Sequence, residues 1–368
     1  MRRRFFIFSI YRGVLFTGLA IALTLVAVFG DAIRAHYFGD SSAFRHTTGE
    51  LAVHTIDVGH GDAIAIRFPC DRVALIDAGD VGYTGRISDY LRRRVTGRRG
   101  RIDWVVLTHP HLDHMGGMTE ILNNFDIGVV YRPLISSQST HDTNNGTVTF
   151  MGGETPHPVY TDVIYATYAN AEDVRISTAG TYFGTPYWRM FFHTPTVDGT
   201  WAGMRHANMN EMSPIMTLEF GNQIFVFTGD AGFMAEGDFL LTDTARYMFG
   251  TGRRDRTVHL NVGHHGSNGS TGNDFLRLIQ PTTASISVGT RFETLPSATA
   301  INRIRGNGVT RENLFITADS GAIAIVTDGN TWNVHVGFRN PPNLWWLFSL
   351  LIIGLWFACF FDWKRAHN

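Results

Sequence analysis

Four residues with metal-binding side chains fall within six consecutive positions of LTHPHLDHMGG, residues 107–117. They are His109, His111, Asp113 and His114. Alternate residues of an extended loop point the same way, so His109 and His111 can share one metal ion. Asp113 and His114 lie on the following turn and can face a second ion. Imidazole and carboxylate ligands suit zinc, manganese or iron, so the spacing predicts a metal-binding loop at the end of an apolar strand.

Three further apolar segments end in a candidate ligand. Asp77 lies at the strand end within LIDAG, Asp230 is the last residue of FTGD, and the pair His264–His265 follows the strand in NVGHHGS. Each is a weak signal alone, because Gly-Asp turns are common at strand ends and adjacent histidines can be structural. Together with the histidine-rich loop, they predict one site assembled from several strand ends.

The segments around these residues alternate between strands and helices. Apolar strands such as IDWVVLTH are separated by helical stretches at 85–95, near 232–247 and at 273–279. IMTLEFGNQIFVFTGD is typical of a β-hairpin with Gly221-Asn222 as its turn, and SGAIAIVTDGNTWNVHV of another. Two groups of strands with helices between them predict an α/β sandwich over residues 46–338, with sheets inside and helices outside.

The chain ends carry two uncharged apolar runs, Val14–Gly30 and Leu344–Phe361. Each is close to the ~20 residues that a helix needs to cross a bilayer. Arginines precede the first run and Lys364-Arg365 lies after the second, which predicts that both tips are cytoplasmic. We therefore expect a two-pass protein of the cell membrane. Its segments are a cytoplasmic tip (1–13), an anchor (14–34), an extracytoplasmic domain (46–338), a second transmembrane helix (344–361) and a cytoplasmic tail (362–368).

Each apolar run has an alternative interpretation. The first can be a cleaved signal peptide, but FGDA is a poor cleavage site, so we expect an uncleaved anchor. The second can be a buried core helix, but Trp345, Trp346 and Trp363 flank it as an interfacial aromatic belt does.

The composition excludes several other classes of protein. The net charge is −1 at pH 7, which gives no overall attraction to nucleic acid or to acidic membrane surfaces. Cys70 and Cys359 are the only cysteines, which excludes a disulfide framework and a cysteine-rich zinc site. Residues 134–158 are rich in Ser, Thr, Asn and Gly and are expected to form a surface loop or insertion.

The order of these motifs resembles that of the metallo-β-lactamase-fold hydrolases, and more narrowly the hydrolase domain of ComEC-type competence proteins. IDVGHGDAIAIRFP is similar to the DVGQGDA segment of that group. The matching segments that follow in order are LTHPHLDHMGG, FTGDA, VGHHGSNGST, ASISVG and TADSGAIAIVTDG. The resemblance covers most of residues 51–336 and implies a metallo-β-lactamase-like αββα sandwich, flanked here by the two expected transmembrane helices.

The resemblance also implies a two-metal centre. The first metal would be bound by His109 and His111, the second by Asp113, His114 and one of the pair His264–His265, with His265 favoured. Both metals would share Asp230. Asp113 would in addition take part in catalysis. Zinc is the expected metal, with manganese as the alternative.

The same resemblance suggests roles beyond metal binding. Asp77 would orient a ligand or the attacking water. His264 would hydrogen-bond a phosphate oxygen or protonate the leaving group. Ser267, with the backbone amides of GSNGS, would bind an anion. Asp57 and Asp62 would hold the entrance loop near the site; a purely structural role in a glycine-rich turn is equally expected.

Two departures from the family pattern concern this site. Many members supply a further histidine to the first metal, and here the corresponding segment RHANMNEMSPIM offers His206, Asn208 and Asn210. The first metal is therefore expected to be less firmly held. A His-Pro pair expected after SVG is replaced by Leu295-Pro296, which removes a histidine that would contact substrate or act as an acid or base.

These features predict a membrane-anchored hydrolase in which a metal-activated water attacks a phosphodiester, with DNA as the substrate that the resemblance implies. One alternative is a binding or DNA-uptake component with a degenerate site. Another is a hydrolase of a phospholipid or cell-wall phosphodiester. The arginine-rich segment LRRRVTGRRGR can contact phosphates, but a solvated helix face is the better interpretation. No protein partner is indicated.

Overall fold

Two β-sheets organise the part of the chain that the structure describes. The structure is a computed structural model, and it describes residues 48–97, 100–133, 135, 157–195, 209–250, 255–290 and 294–337. All of these residues belong to one unit, Ser41–Gly337.

The first sheet has eight strands. In spatial order they are β15 (Trp332–Gly337), β14 (Ala322–Thr327), β1 (Leu51–Thr55), β2 (Ile64–Arg67), β3 (Val73–Ile76), β4 (Arg101–Val106), β5 (Asp126–Arg132) and β6 (Ala171–Ile176). Strands β3 to β6 are parallel, and the other neighbours are antiparallel. Because β1 and β3 are both antiparallel to β2, β1 runs in the same direction as β3.

The second sheet has seven strands. In spatial order they are β13 (Leu314–Ile316), β12 (Thr283–Ile286), β11 (Thr257–Asn261), β10 (Gln223–Phe227), β9 (Met216–Phe220), β8 (Trp188–Phe192) and β7 (Tyr182–Gly184). Strands β10 to β13 are parallel, and β7 to β10 form an antiparallel meander.

Helices lie on the outer faces of the two sheets. They are α1 (Thr84–Tyr90), α2 (Leu112–Met115), α3 (Met118–Asn124), α4 (Val159–Asn170), α5 (Phe233–Leu241), α6 (Asp243–Phe249), α7 (Asn273–Ile279), α8 (Ala298–Gly306) and α9 (Thr317–Ser320). Helix α4 contacts α3, β5 and β6. Phe239, Met248, Phe275 and Ile304, one from each of α5 to α8, share a buried cluster with β10 and β11.

The main core lies between the sheets and is rich in aromatic side chains. Phe68 stacks on Trp188 with ring centroids 3.9 Å apart, and Trp104 stacks on Phe183 at 4.6 Å. These residues come from both sheets and bury large apolar surfaces against one another. The two-sheet α/β architecture expected from the sequence is therefore confirmed for the described residues.

Strand direction brings the candidate ligands to one edge of each sheet. In the first sheet, Asp77 follows β3 and the histidine-rich loop follows β4. In the second sheet, Asp230 follows β10 and the pair His264–His265 follows β11. The loop after β1, which contains His60 and Asp62, reaches the same edge because β1 points in the direction of β3.

The two expected hairpins are confirmed, and their turns touch each other. β9 pairs with β10 around Gly221-Asn222, and β14 pairs with β15. Asn222 donates its N–H to the Gly329 carbonyl oxygen at 2.6 Å. Gly221 has φ 56°, and a Cβ there would lie 2.2 Å from that same oxygen, so the position requires glycine.

The sequence expectation for residues 232–247 as one helix is wrong. Two helices, α5 and α6, meet at Thr242, whose backbone is extended and whose hydroxyl accepts the N–H of Ala245. This side chain caps α6 and so favours a new helix over continuation of α5.

The helix expected at 85–95 begins at Thr84 and ends as a π-helical turn, Leu91–Val95. Elements α2, α8, α9, β7 and β13 were not expected.

Several expectations lie outside the described residues. These are both apolar runs, His206, Asn208 and nearly all of the 134–158 insertion. Among the residues that the structure does describe, no helix combines the length and the apolar character required to cross a membrane.

His259 on β11 is held as a neutral imidazole inside the second sheet. It is 2% exposed, with Nδ1 2.8 Å from Thr283 Oγ1 and Nε2 2.9 Å from Gln223 Oε1. The amide oxygen can only accept, so Nε2 carries the proton and Nδ1 accepts from the hydroxyl. Burial lowers the pKa of His259 to about 3.

Replacing this side chain, His259→Gln, should reduce the acid sensitivity of the fold. A histidine in the unfolded chain titrates near pH ~6.5, whereas His259 in the folded protein has a pKa of about 3. Between these two pH values the unfolded state binds one more proton than the folded state. The unfolding free energy of the wild type therefore falls as pH drops from about 6.5 to about 3. Between about pH 7 and pH 5 the variant should lose about 2 kcal/mol less unfolding free energy than wild type. Urea denaturation with EDTA at both pH values measures this, and equal losses would contradict it.

Candidate metal centre

The histidine-rich loop begins after β4 and continues into the first turn of α2. His109 is 1% exposed and His114 is fully buried, whereas His111 and Asp113 are partly exposed. His111 immediately precedes α2, so Asp113 and His114 lie in the first turn of that helix. His109 Nε2 is 3.0 Å from His111 Nδ1, and the His109 and His114 rings are 4.2 Å apart. The structure thus brings the four loop residues together.

Asp77 anchors this loop from the end of β3. Its carboxylate accepts the Thr108 backbone N–H at 2.9 Å, the Thr108 hydroxyl at 2.6 Å and His114 Nδ1–H at 2.8 Å. Burial raises the pKa of Asp77, and the hydrogen bonds from His114 and Thr108 oppose that rise. With Nδ1 engaged, His114 directs Nε2 toward the other candidate ligands. This is the contact of a residue that orients a metal ligand.

Four atoms converge at one side of the site, which we call the second group: Asp113 Oδ2, His114 Nε2, His265 Nε2 and Asp230 Oδ1. His265 Nε2 lies 3.3 Å from Asp113 Oδ2 and 3.4 Å from Asp230 Oδ1. His114 Nε2 lies 3.2 Å from His265 Nε2 and 3.1 Å from Asp230 Oδ1. Ligand atoms about 2.0–2.1 Å from a tetrahedral zinc ion are separated by about 3.3–3.4 Å. The spacing of the second group is therefore that of ligands around one ion.

Asp230 connects this group to a second set of atoms. Its Oδ2 faces His109 Nε2 at 3.7 Å and His264 Nε2 at 3.6 Å. We call His109, His111 and Asp230 Oδ2 the first group. The other oxygen, Oδ1, is buried and accepts no hydrogen bond, although His114 and His265 lie nearby. A buried, unsatisfied carboxylate oxygen fits a metal ligand, because a cation would compensate its charge.

The hydrogen-bond partners of the buried histidines fix which ring nitrogen can bind metal. His114 donates through Nδ1 to Asp77, and His265 donates through Nδ1 to the Ser287 carbonyl oxygen at 2.8 Å. In its neutral form, each ring therefore presents an unprotonated Nε2 to the centre of the site. His109 Nδ1 similarly contacts Thr108 Oγ1 at 3.1 Å and Ser213 Oγ at 3.2 Å. Lone pairs that face one another in this way are compatible with divalent metal binding.

Several ionisable side chains lie close together around Asp230 and shift one another's pKa. Burial alone would lower the pKa of His265, but Asp230, Asp113 and Asp62 raise it to about 9. Burial alone would raise the pKa of Asp230, but His114 and His265 hold it well below its usual range. Protons and divalent cations compete for the same lone pairs, so acidic pH opposes metal binding here.

The pair His264–His265 adopts an unusual backbone conformation. Both residues have positive φ, 48° and 54°, which costs a non-glycine residue about 1–2 kcal/mol each. The strained turn directs His265 Nε2 to Asp230 Oδ1 and His264 Nε2 to Asp230 Oδ2. His264 also lies 3.5 Å from Asn210 Nδ2, and its side chain is 34% exposed. Of the three candidates for a further first-metal contact, Asn210 alone is described, and it lies beside His264.

The structure also places the remaining sequence candidates. Asp62 is buried, its N–H donates to the Asp113 carbonyl oxygen at 3.1 Å, and burial raises its pKa to about 6. Asp57 accepts the Gly59 N–H at 3.1 Å within the loop and pairs with Arg86 of α1 at 3.4 Å. Ser267 is separated from the histidine pair by Gly266 and accepts the N–H of Gly269 at 3.2 Å.

Leu295-Pro296 contributes packing where a His-Pro pair was expected. A Cβ on Gly266 would lie 2.6 Å from the Pro296 Cβ, so this proline packs directly on the turn after the histidine pair.

Besides Thr108 and Ser287, two further residues at this site were not among the candidates from the sequence. Ser213 contacts His109 and accepts the Asp230 N–H at 3.1 Å, but a serine before a strand carries no recognisable signal. His60 lies 3.3 Å from Asp113 Oδ2. A signal for it existed, because it replaces the glutamine of the similar DVGQGDA segment.

The fold and this ligand arrangement agree with the family to which the chain belongs. The model of the metallo-beta-lactamase superfamily matches residues 56–289, so the chain is a member of that superfamily. The narrower similarity is to the ComE operon protein 3 of Bacillus subtilis (strain 168), which is 24% identical over 256 residues. The aligned region covers 66% of this chain and 29% of that protein, so the chain spans less than a third of its relative.

Solved structures of low sequence identity are also similar. The metallo-beta-lactamase fold protein YhfI from Bacillus subtilis is 11% identical, with a TM-score of 0.41 over 74% of this chain and 98% of that one. A diphosphatase from the PhnP family is 10% identical, with a TM-score of 0.40 over 75% and 98% of the two chains.

Asp77→Asn should weaken zinc binding by about 10–100-fold. An amide N–H in place of the carboxylate oxygen opposes His114 Nδ1–H, which favours the tautomer with the proton on Nε2 and removes that lone pair from the site. Competition titration against a zinc chelator measures the change. Asp103→Asn is a matched control, since Asp103 accepts the Val73 N–H between β3 and β4 away from the site. Equal zinc affinity in Asp77→Asn and wild type would refute the role of Asp77.

Proposed function

We propose that this protein is a membrane-anchored phosphodiesterase with two divalent metal ions, preferentially zinc, that cleaves DNA. The observation that carries the proposal is the position of Asp230 between two groups of ligand atoms, with one carboxylate oxygen directed at each. A carboxylate shared in this way is the bridging ligand that a dinuclear hydrolytic centre needs.

The described residues divide between the two ions as follows. The first group, His109, His111 and Asp230 Oδ2, would hold one ion, with His264 and Asn210 beside it. The second group, Asp113, His114, His265 and Asp230 Oδ1, would hold the other. When bound, the metal pair supplies a water of lowered pKa and neutralises negative charge on a phosphoryl oxygen.

The surrounding residues prepare the site for that reaction. Asp77 and Ser287 hold the His114 and His265 rings through Nδ1, so these ligands need no reorientation. His264 is the partly exposed histidine of the site, and we propose that it hydrogen-bonds a phosphoryl oxygen of the substrate. Ser267 and the amides of the GSNGS loop would bind a neighbouring phosphate.

The proposals for substrate and location rest on the sequence. The resemblance to the hydrolase domain of ComEC-type proteins favours DNA among the possible phosphodiesters. The two terminal apolar runs with their flanking basic residues favour a two-pass arrangement with the hydrolase domain outside the cytoplasm. A reporter active only outside the cytoplasm should work when fused after Arg45 and fail after Asn368. The opposite result would refute this topology.

Asp113→Ala should reduce metal-dependent phosphodiesterase activity by at least about a hundredfold, because it removes a ligand of the second ion. The measurement uses the full chain purified in detergent, with its metal content determined. Single-stranded DNA and a bis-aryl phosphodiester are the substrates. Asp89→Ala, at an exposed carboxylate on α1 that pairs with Arg93, should retain wild-type activity.

Further substrates in the same assay separate the alternatives. A phospholipid or cell-wall phosphodiester cleaved in preference to DNA would reassign the substrate, and a β-lactam should not be hydrolysed. Wild-type protein that binds no metal, or that binds DNA without cleaving any phosphodiester, would overturn the proposed enzyme activity and favour a binding component.

A further inference from the structure

His60 lies in the loop between β1 and β2, which is fixed to the candidate metal centre by its backbone. Gly61 has φ 120°, and a Cβ there would lie 2.0 Å from the Asp113 carbonyl oxygen. Ser287 Oγ donates to the Gly61 carbonyl oxygen at 2.6 Å, and Asp62 N–H donates to the Asp113 carbonyl oxygen at 3.1 Å. Gly79 N–H in turn donates to the Asp62 carbonyl oxygen at 2.8 Å.

These contacts hold the loop to both sheets. Gly79 follows β3 and Asp113 follows β4, both in the first sheet, whereas Ser287 follows β12 in the second sheet. Close approach is possible only because glycine stands on both sides of His60: a Cβ on Gly59 would lie 2.4 Å from Tyr83 Oη. The backbone on both sides of His60 is therefore held by contacts with the strand ends that carry the other ligands.

The His60 side chain is directed into the second group. Its Nε2 lies 3.3 Å from Asp113 Oδ2, the same distance as His265 Nε2. The rings of His60 and His265 are 4.4 Å apart, and the nearest ligand atoms of His60, Asp113 and His265 all lie within 4.8 Å of one another. The 3.3 Å between His60 Nε2 and Asp113 Oδ2 is the separation expected for two ligand atoms on one zinc ion.

We propose that His60 is an additional ligand of the second metal ion, through Nε2, and that it favours zinc over manganese at that position. The proposal rests on the proposed two-metal function. With His60 included, the second group offers three imidazole nitrogens and two carboxylate oxygens. Imidazole suits zinc, whereas manganese prefers oxygen ligands, so a third imidazole shifts the preference toward zinc.

The test is the variant His60→Gln, which places in the loop the side chain found in the similar DVGQGDA segment. Full-length protein in detergent is stripped of metal, then titrated separately with Zn²⁺ and Mn²⁺ against a chelating dye. The second equivalent of zinc should bind about tenfold or more weakly, and manganese affinity should change by a smaller factor. The d–d absorption of the second equivalent of Co²⁺ should also change, because one nitrogen ligand is lost.

Two controls separate ligand loss from disturbance of the fold. His335→Gln, a partly exposed histidine on β15, should leave zinc affinity and the Co²⁺ spectrum unchanged. Thermal unfolding in EDTA should give the same midpoint for wild type and His60→Gln. Should His60→Gln not fold, His60→Asn replaces it in the same titrations.

Each remaining outcome decides the matter. Unchanged zinc affinity with an unchanged Co²⁺ spectrum overturns the role of His60 as a ligand. Equal weakening for zinc and manganese, with the same spectrum, also overturns it and leaves His60 as a residue that positions Asp113. In both cases wild type that binds two ions and cleaves phosphodiesters leaves the proposed function standing. Wild type that binds no metal overturns both.

Discussion

The structure depends on the compensation of one buried carboxylate, that of Asp230. Asp230 is 2% exposed, and the nitrogen atoms around it belong to histidines rather than to arginine or lysine. Burying an unpaired carboxylate is costly, and in the absence of metal the charge of Asp230 is offset by protons on His114 and His265, whose pKa values it raises. Divalent cations can take the place of these protons, because they bind the carboxylate oxygens and the Nε2 lone pairs together.

The fold meets this requirement by having two sheets contribute ligands from strands of matching direction. The first sheet supplies Asp77 and the histidine-rich loop, and the second supplies Asp230 and the histidine pair. Each contribution is held by contacts with the other sheet or with a neighbouring strand, as in the hydrogen bond from His265 to Ser287. The strained turn at His264–His265 is stable only because the surrounding structure fixes it, which is typical of functional sites.

Much of this arrangement could be predicted from the sequence, because the signals are local. The histidine-rich loop, the Asp77 and Asp230 turns and both hairpins combine a recognisable strand with a distinctive turn. What could not be predicted depends on long-range geometry. His60 joins the site because β1 runs in the direction of β3. Its place in the segment similar to DVGQGDA marks the position as unusual, but it does not show which side chains His60 meets.

Other differences have similarly specific causes. The break between α5 and α6 results from one capping hydroxyl, Thr242, inside a stretch whose apolar pattern continues. Ser213 contributes through hydrogen bonds to His109 and Asp230, which come from opposite sheets. The apolar pattern of a helix or strand predicts which of its faces is buried. It does not predict which residue a polar side chain on that element will contact.

Anomalous diffraction from crystals of the zinc-loaded protein tests the central claim most directly. Two zinc peaks about 3.5–4 Å apart are expected, one at each oxygen of Asp230, with His109 and His111 at one peak and Asp113, His114 and His265 at the other. A single ion, no ion, or two ions that do not share the Asp230 carboxylate would contradict the account.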